Sequence, residues 1–124
     1  PAFYRLADAC LLTLTGDTLV GQTVPAKLQG YMAAGKPVFA AVNGPAHELI
    51  ERSGCGLAVD SGDSAGLAEA MRTMILQPEI FGTCGANART YFLERFTERR
   101  HMDALIAQMK TLVEETSCLR KERC

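Results

Sequence analysis

Thr23-Val-Pro25-Ala-Lys27-Leu-Gln-Gly30-Tyr31-Met-Ala-Ala-Gly35-Lys-Pro37-Val38-Phe-Ala-Ala-Val42-Asn43-Gly44 is the stretch that decides the fold. Its first half predicts a helix over Pro25–Ala34, capped by Thr23 and opened by Pro25. Leu28, Tyr31 and Met32 fall at i, i+3 and i+4 of that helix. Gly35 stops the helix, and a short apolar run, Val38–Val42, predicts a buried strand that ends in Asn43-Gly44. A helix–strand–loop unit of this kind aims a helix N-terminus and a glycine-bearing loop at one edge of a parallel sheet. Phosphate-bearing ligands bind at such edges.

On either side, Ala9–Leu14 and Gly56–Val59 predict two further strands. All three runs are continuous rather than alternating, which suits strands covered on both faces by helices. Ala2–Ala7 reads as a short amphipathic turn and Ala46–Ser53 as a helix stopped by Gly54 and Gly56. A third helix, capped by Asp63 or Ser64, runs to about Gln77, with Leu67, Met71, Met74 and Ile75 on one stripe and Pro78 at its end. Two more follow, about Glu79–Glu94 and Glu98–Glu115, the second with Thr97 as N-cap. The order is strand, helix, strand, helix, strand, then three helices. It predicts an α/β fold, a Rossmann-like parallel sheet of about three strands flanked by helices. Residues 1–115 make one domain in this reading, and 116–124 a tail.

At 124 residues with 48% hydrophobic, the chain can bury one core. A net charge of −1 argues against nucleic acid as the main partner, because phosphate-backbone binding needs clustered Lys and Arg. Arg120, Lys121 and Arg123 form the one basic cluster and read as a frayed tail. No run reaches the roughly 18 apolar residues of a membrane span, and the first residues, with no basic region before an apolar one, are not expected to act as a signal peptide. A chain that starts at Pro1 is expected to be part of something longer. The five cysteines, Cys10, Cys55, Cys84, Cys118 and Cys124, are irregularly spaced and never form Cys-x-x-Cys. They read as reduced cytosolic thiols, not disulfides or zinc ligands.

Ligands of such a sheet sit beyond the carboxyl ends of its strands. Here those ends are Leu14–Gly21, Asn43–His47 and Asp60–Asp63. The first runs Thr15-Gly16-Asp17-Thr18-Leu19-Val20-Gly21-Gln22-Thr23 into a helix start, where N–H groups from Ala26 and Lys27 onward favour an anion. The Lys27 ammonium adds a point charge. The same residues also read without a ligand, Thr23 as a structural cap and Lys27 in water. His47 beside Glu48 invites an acid–base reading, yet adjacent helical residues diverge and form no dyad. Glu48 suits the first turn of its helix through the dipole. Asp60 and Asp63 are a strand end and a cap, Asp8 and Asp17 have turn or capping roles, and His101 beside Arg99 and Arg100 is solvated. Tyr31 and the final helix's Met102, Leu105, Ile106, Met109, Leu112 and Val113 are expected in the core.

Several segments in order resemble landmarks of one family: Tyr4-Arg-Leu-Ala-Asp8-Ala-Cys-Leu-Leu, Lys27-Leu-Gln-Gly-Tyr31-Met-Ala-Ala-Gly35-Lys-Pro37-Val, Glu48-Leu-Ile-Glu-Arg-Ser-Gly54-Cys-Gly56-Leu-Ala-Val, Gly62-Asp63 and Asn87-Ala-Arg89. They are similar to the C-terminal, nucleotide-sugar-binding domain of family-4-type GT-B glycosyltransferases of the bacterial surface-polysaccharide kind. The resemblance implies that Val20–Gly30 contacts the donor's diphosphate and sugar, with Asn43-Gly44 lining the same crevice. The implied donor surface is Gly21, Gln22, Thr23, Ala26, Lys27 and Gly30, with Asn43, Gly44 and Glu48 beside it; no catalytic residue is assigned. Many members carry two glutamates eight positions apart here, and the matching positions hold Gln22 and Gly30. The resemblance implies that the family's preceding strands, Gly-rich loop and basic pair, and its acceptor-binding N-terminal domain, are expected outside residues 1–124.

The resemblance therefore implies the donor half of a glycosyltransferase, inactive alone. It uses a nucleotide-diphosphate sugar, UDP-sugar first, with no cofactor and no metal. It also implies a cytoplasmic enzyme and leaves open peripheral association of the full-length protein with the inner membrane face. The alternative is a non-catalytic α/β association module, whose exposed strand edges would make a homodimer.

Overall fold

The computed structural model describes residues 2–16 and 19–121, with 115–121 described by backbone alone. The roles expected of Asp17, Cys118, Cys124 and the Arg120, Lys121 and Arg123 cluster lie outside the described residues and side chains. The chain falls into two compact units, divided between Leu93 and Glu94.

The first unit is the α/β sheet the sequence predicts. Its elements are α1 (Ala2–Leu6), β1 (Cys10–Thr13), a 3-10 turn (Leu19–Gln22), α2 (Ala26–Ala33), β2 (Val38–Ala41) and α3 (Gly44–Ser53). β3 (Gly56–Val59), α4 (Ser64–Leu76), a second 3-10 turn (Pro78–Phe81) and α5 (Cys84–Arg95) follow. The three strands lie parallel in the order β1-β2-β3, with Cys10, Val38 and Gly56 in one register row. Right-handed crossovers in that order put α2 and α3 on one face of the sheet. α2 packs on β1 and β2, α3 on β3, and α4 on β2 and β3.

β2 is buried throughout because helices cover both its faces. β1 departs from the expectation of two covered faces. Cys10 and Leu12 are buried, but Leu11 and Thr13, on the α4 side, are open. The physical reason is position: β1 is an edge strand, and α4 packs on β2 and β3. On that side Phe39 stacks on Phe81 with ring centroids 5.1 Å apart, within a cluster that includes Ala70, Leu57 and Leu67. Leu28 and Met32 of α2 and Ile50 of α3 are fully buried.

Several local readings change. α1 buries no residue; its Phe3 and Leu6 lie in solvent, so it is not an amphipathic packing turn. Glu79–Glu94 is not one helix: Phe81 must reach Phe39, and the chain breaks at Gly82-Thr83 between the second 3-10 turn and α5. α5 is tied to earlier helix ends, since Asn87 donates to the Gly54 carbonyl and Arg89 to the Ala33 carbonyl.

In the second unit α6 spans Glu98–Lys121, beyond the expected Glu115. The Arg100 amide approaches the Thr97 hydroxyl at 3.5 Å, and the His101 amide donates to the Thr97 carbonyl at 3.0 Å, as a helix start requires. Met102, Leu105, Ile106, Met109, Leu112 and Val113 share one stripe, yet all are exposed rather than in a core. Periodicity reports that a helix has an apolar face, not that anything covers it.

Candidate functional site

Glycine packing builds the carboxyl edge of the sheet. The chain leaving β1 reaches Gly16, where a side chain would meet Asn43 Nδ2 at 2.7 Å and Ser61 Cβ at 3.0 Å. Gly21, buried in the first 3-10 turn, lies so close to the Thr15 and Gly16 carbonyls that a Cβ would sit 2.8 and 2.7 Å from them. Gly44 has φ +60°, the left-handed region that glycine adopts at least cost. A Cβ there would lie 3.4 Å from both the Gly21 carbonyl oxygen and Gln22 Oε1. Four expected site residues, Gly21, Gln22, Asn43 and Gly44, therefore meet on one side of the strand ends.

The helix start beside them differs from expectation. Pro25 is the N-cap of α2, in extended conformation, and no side chain caps the helix. Thr23 stands two positions too early to reach the first-turn amides. Its hydroxyl instead donates to the Val20 carbonyl at 2.8 Å and closes the 3-10 turn. The Leu28 amide bonds the Pro25 carbonyl at 3.0 Å. The Ala26 and Lys27 amides precede any intrahelical acceptor, and both residues are exposed. With no side-chain oxygen turned onto it, this N-terminus keeps its partial positive charge toward solvent.

A cleft of about 340 Å³ runs between β1 and this helix start, lined by Leu11–Leu14, Pro25, Ala26, Lys27 and Tyr31. The ion pairs among the described residues are His47–Glu51 and Arg99–Asp103, so Lys27 has no carboxylate partner there. Gly30 sits further along α2, where a Cβ would find only the Tyr4 hydroxyl, at 3.6 Å. Tyr4 also meets Tyr31 edge-on, with ring centroids 6.0 Å apart. A second hollow of about 210 Å³ opens on the α4 side, lined by Thr13, Leu14, Ala41, Gly62, Ser64 and Leu67.

His47 does not pair with Glu48. Its Nδ1 lies 3.1 Å from the Val42 carbonyl and its Nε2 3.4 Å from Glu51, one helical turn on. Because α3 begins at Gly44, Glu48 falls past the first turn, where the helix dipole gives it little. Asp63 does cap α4, accepting from the Gly66 amide at 2.8 Å. Among the described residues no three His, Cys, Asp or Glu side chains gather to hold a metal ion.

One residue escaped the sequence reading. Ser61, after β3, accepts from the Gly16 amide at 2.9 Å and donates to the Leu14 carbonyl at 2.6 Å. Its own amide donates to Asn43 Oδ1 at 2.9 Å. The only trace in the sequence is a turn-type run, Asp60-Ser-Gly-Asp63, at a strand end.

A family model described as Glycosyl transferases group 1 matches residues 1–77, the segment from α1 to the end of α4. No curated protein and no solved structure matches the chain.

Proposed function

From the premise that this chain belongs to the group 1 glycosyl transferases, we propose that it holds the donor for glycosyl transfer from a nucleotide diphosphate, UDP first, to an acceptor. The observation that carries this reading is the junction of Gly21–Gln22 with Gly44 beside the uncapped, exposed start of α2.

Cleavage of the glycosyl–phosphate bond leaves negative charge on the diphosphate, and fixed donors aimed at that charge favour the transition state. Here the Ala26 and Lys27 amides supply the donors and the Lys27 ammonium the charge. Gln22 offers neutral amide hydrogen bonds to sugar hydroxyls, and Thr23, Gly30, Asn43 and Glu48 complete the surrounding surface. The acceptor side lies on another segment in this reading, so the chain alone binds donor without turning over. In this reading the transfer serves surface-polysaccharide synthesis in the bacterial cytoplasm, at or near the inner face of the membrane.

Calorimetric titration of UDP and GDP into the chain tests the reading, with UDP expected to bind more tightly. Lys27→Ala is expected to weaken UDP by about fivefold, the scale of one partly solvated charge at a helix start. Unchanged affinity removes Lys27 from the site, and absence of binding by either nucleotide removes the site. The open face of β1, with Leu11 48% exposed, favours a second reading as an association module. Nucleotide-independent dimerisation in sedimentation, with no nucleotide binding, would select it.

A further inference from the structure

We infer that Ser61 is a positioning residue for the donor crevice, a side chain that touches no donor yet sets where the donor-contacting loops stand. The inference rests on the donor reading of the strand edge. β1 and β3 are not neighbours in the sheet, so the chain leaving β1 has no ladder bond to the chain leaving β3. Ser61 supplies the missing tie through its hydroxyl, which takes the Gly16 N–H and gives its proton to the Leu14 carbonyl. Its amide binds the loop after β2 through Asn43 Oδ1. One residue thus fastens all three strand-end loops.

The tie is transmitted through two close glycine contacts, at Gly16 and at Gly21. Gly16 fits against Asn43 and Ser61 with no room for a methyl group, and Gly21 fits as closely against the Thr15 and Gly16 carbonyls. Gly21 and Gln22 then abut Gly44. A shift at Ser61 passes to Gly16 and from there to Gly21–Gln22, the residues that face Gly44. The same geometry gives Asn43 a new role. Its carboxamide oxygen is taken by Ser61 and its Nδ2 lies against Gly16, so it acts by holding the loops.

The test compares Ser61→Ala, which removes the hydroxyl, with Ser61→Thr, which keeps it. UDP affinity is measured by calorimetry, and amide exchange is followed at Gly16, Gly21 and Gln22. Ser61→Ala is expected to weaken UDP about tenfold, the effect of losing a bonded hydroxyl between two polar groups. Ser61→Thr is expected to stay within about threefold of the parent, because it keeps the hydroxyl that makes both bonds. Exchange at Gly21 and Gln22 should quicken in Ser61→Ala while that of β2 holds. Should Ser61→Ala not fold, Ser61→Cys keeps the shape, weakens both bonds and is expected to give the same order. UDP binding by the parent chain with an unchanged Ser61→Ala affinity overturns the role of Ser61 alone. No UDP binding by the parent overturns the donor reading, and unchanged exchange at Gly21 and Gln22 then overturns the tie as well.

Discussion

Gly56 shows how one missing atom sets a sheet. It stands opposite Val38 in the β2–β3 register, and a Cβ built on it would fall onto the Val38 carbonyl. That neighbour is backbone of the most buried strand, so it cannot swing aside as a flexible side chain could. Gly56→Ala is therefore expected to cost about 3 kcal/mol or more, at the upper end of single-substitution effects. Urea unfolding measures it, and a loss under about 1 kcal/mol would mean that β3 does not approach β2 so closely. Gly30 has no comparable crowding, so its place in the sequence reading owes nothing to packing.

Among the elements, α4 is the one whose start was legible residue by residue. Asp63 and Ser64 are its two cap candidates in the sequence, and it is the Asp63 carboxylate that accepts from the Gly66 amide, at 2.8 Å. Asp63→Ala is expected to cost about 1 kcal/mol and to lower the melting temperature by about 4–8 °C. Asp63→Asn should recover most of that, since an amide oxygen caps nearly as well. Equal losses in both would show that charge at the dipole, not the hydrogen bond, matters. α2 makes the contrast. Thr23 is as good a cap in composition, but Pro25 fixes the entry two residues later and leaves α2 uncapped. The difference bears on function, because an occupied N-terminus has nothing to offer an anion.

For the molecule as a whole, the buried thiols couple stability to pH. Burial raises the Cys10 and Cys55 thiols above the ordinary value of 9.0, with Lys36 partly opposing this at Cys10 and Ser53 at Cys55. Burial raises Cys84 in the same direction. In the unfolded chain these thiols begin to lose protons near 9, while the folded chain keeps them. The folded state then holds more protons, and stability falls as pH rises above about 9. Below that range these groups add no pH dependence. Melting curves from pH 7 to pH 10 should show a decline only in the upper part, and iodoacetamide at pH 8 should label Cys55 only as fast as the chain unfolds. Rapid native-state labelling of Cys55, read by peptide mapping, would contradict its burial.

The sequence by itself determined the three strands, most of the helices, their parallel arrangement and the group 1 glycosyl transferase family. These follow from local signals: apolar runs of strand length, glycine and proline stops, capping residues and a strand–helix alternation that admits few topologies. It also drew attention to the right edge of the sheet. Only the tertiary structure decided which strand face stays open, where α2 begins, that His47 turns to Val42 and Glu51, and that Ser61 ties three loops together. Those facts depend on partners 18 to 47 residues away in the case of Ser61. They depend on a single helix, α4, packing on β2 and β3 and leaving Leu11 and Thr13 of β1 open in the case of the open face. Periodicity and propensity describe a residue's neighbours along the chain. A hydroxyl with two bonding directions is committed only when distant loops arrive beside it.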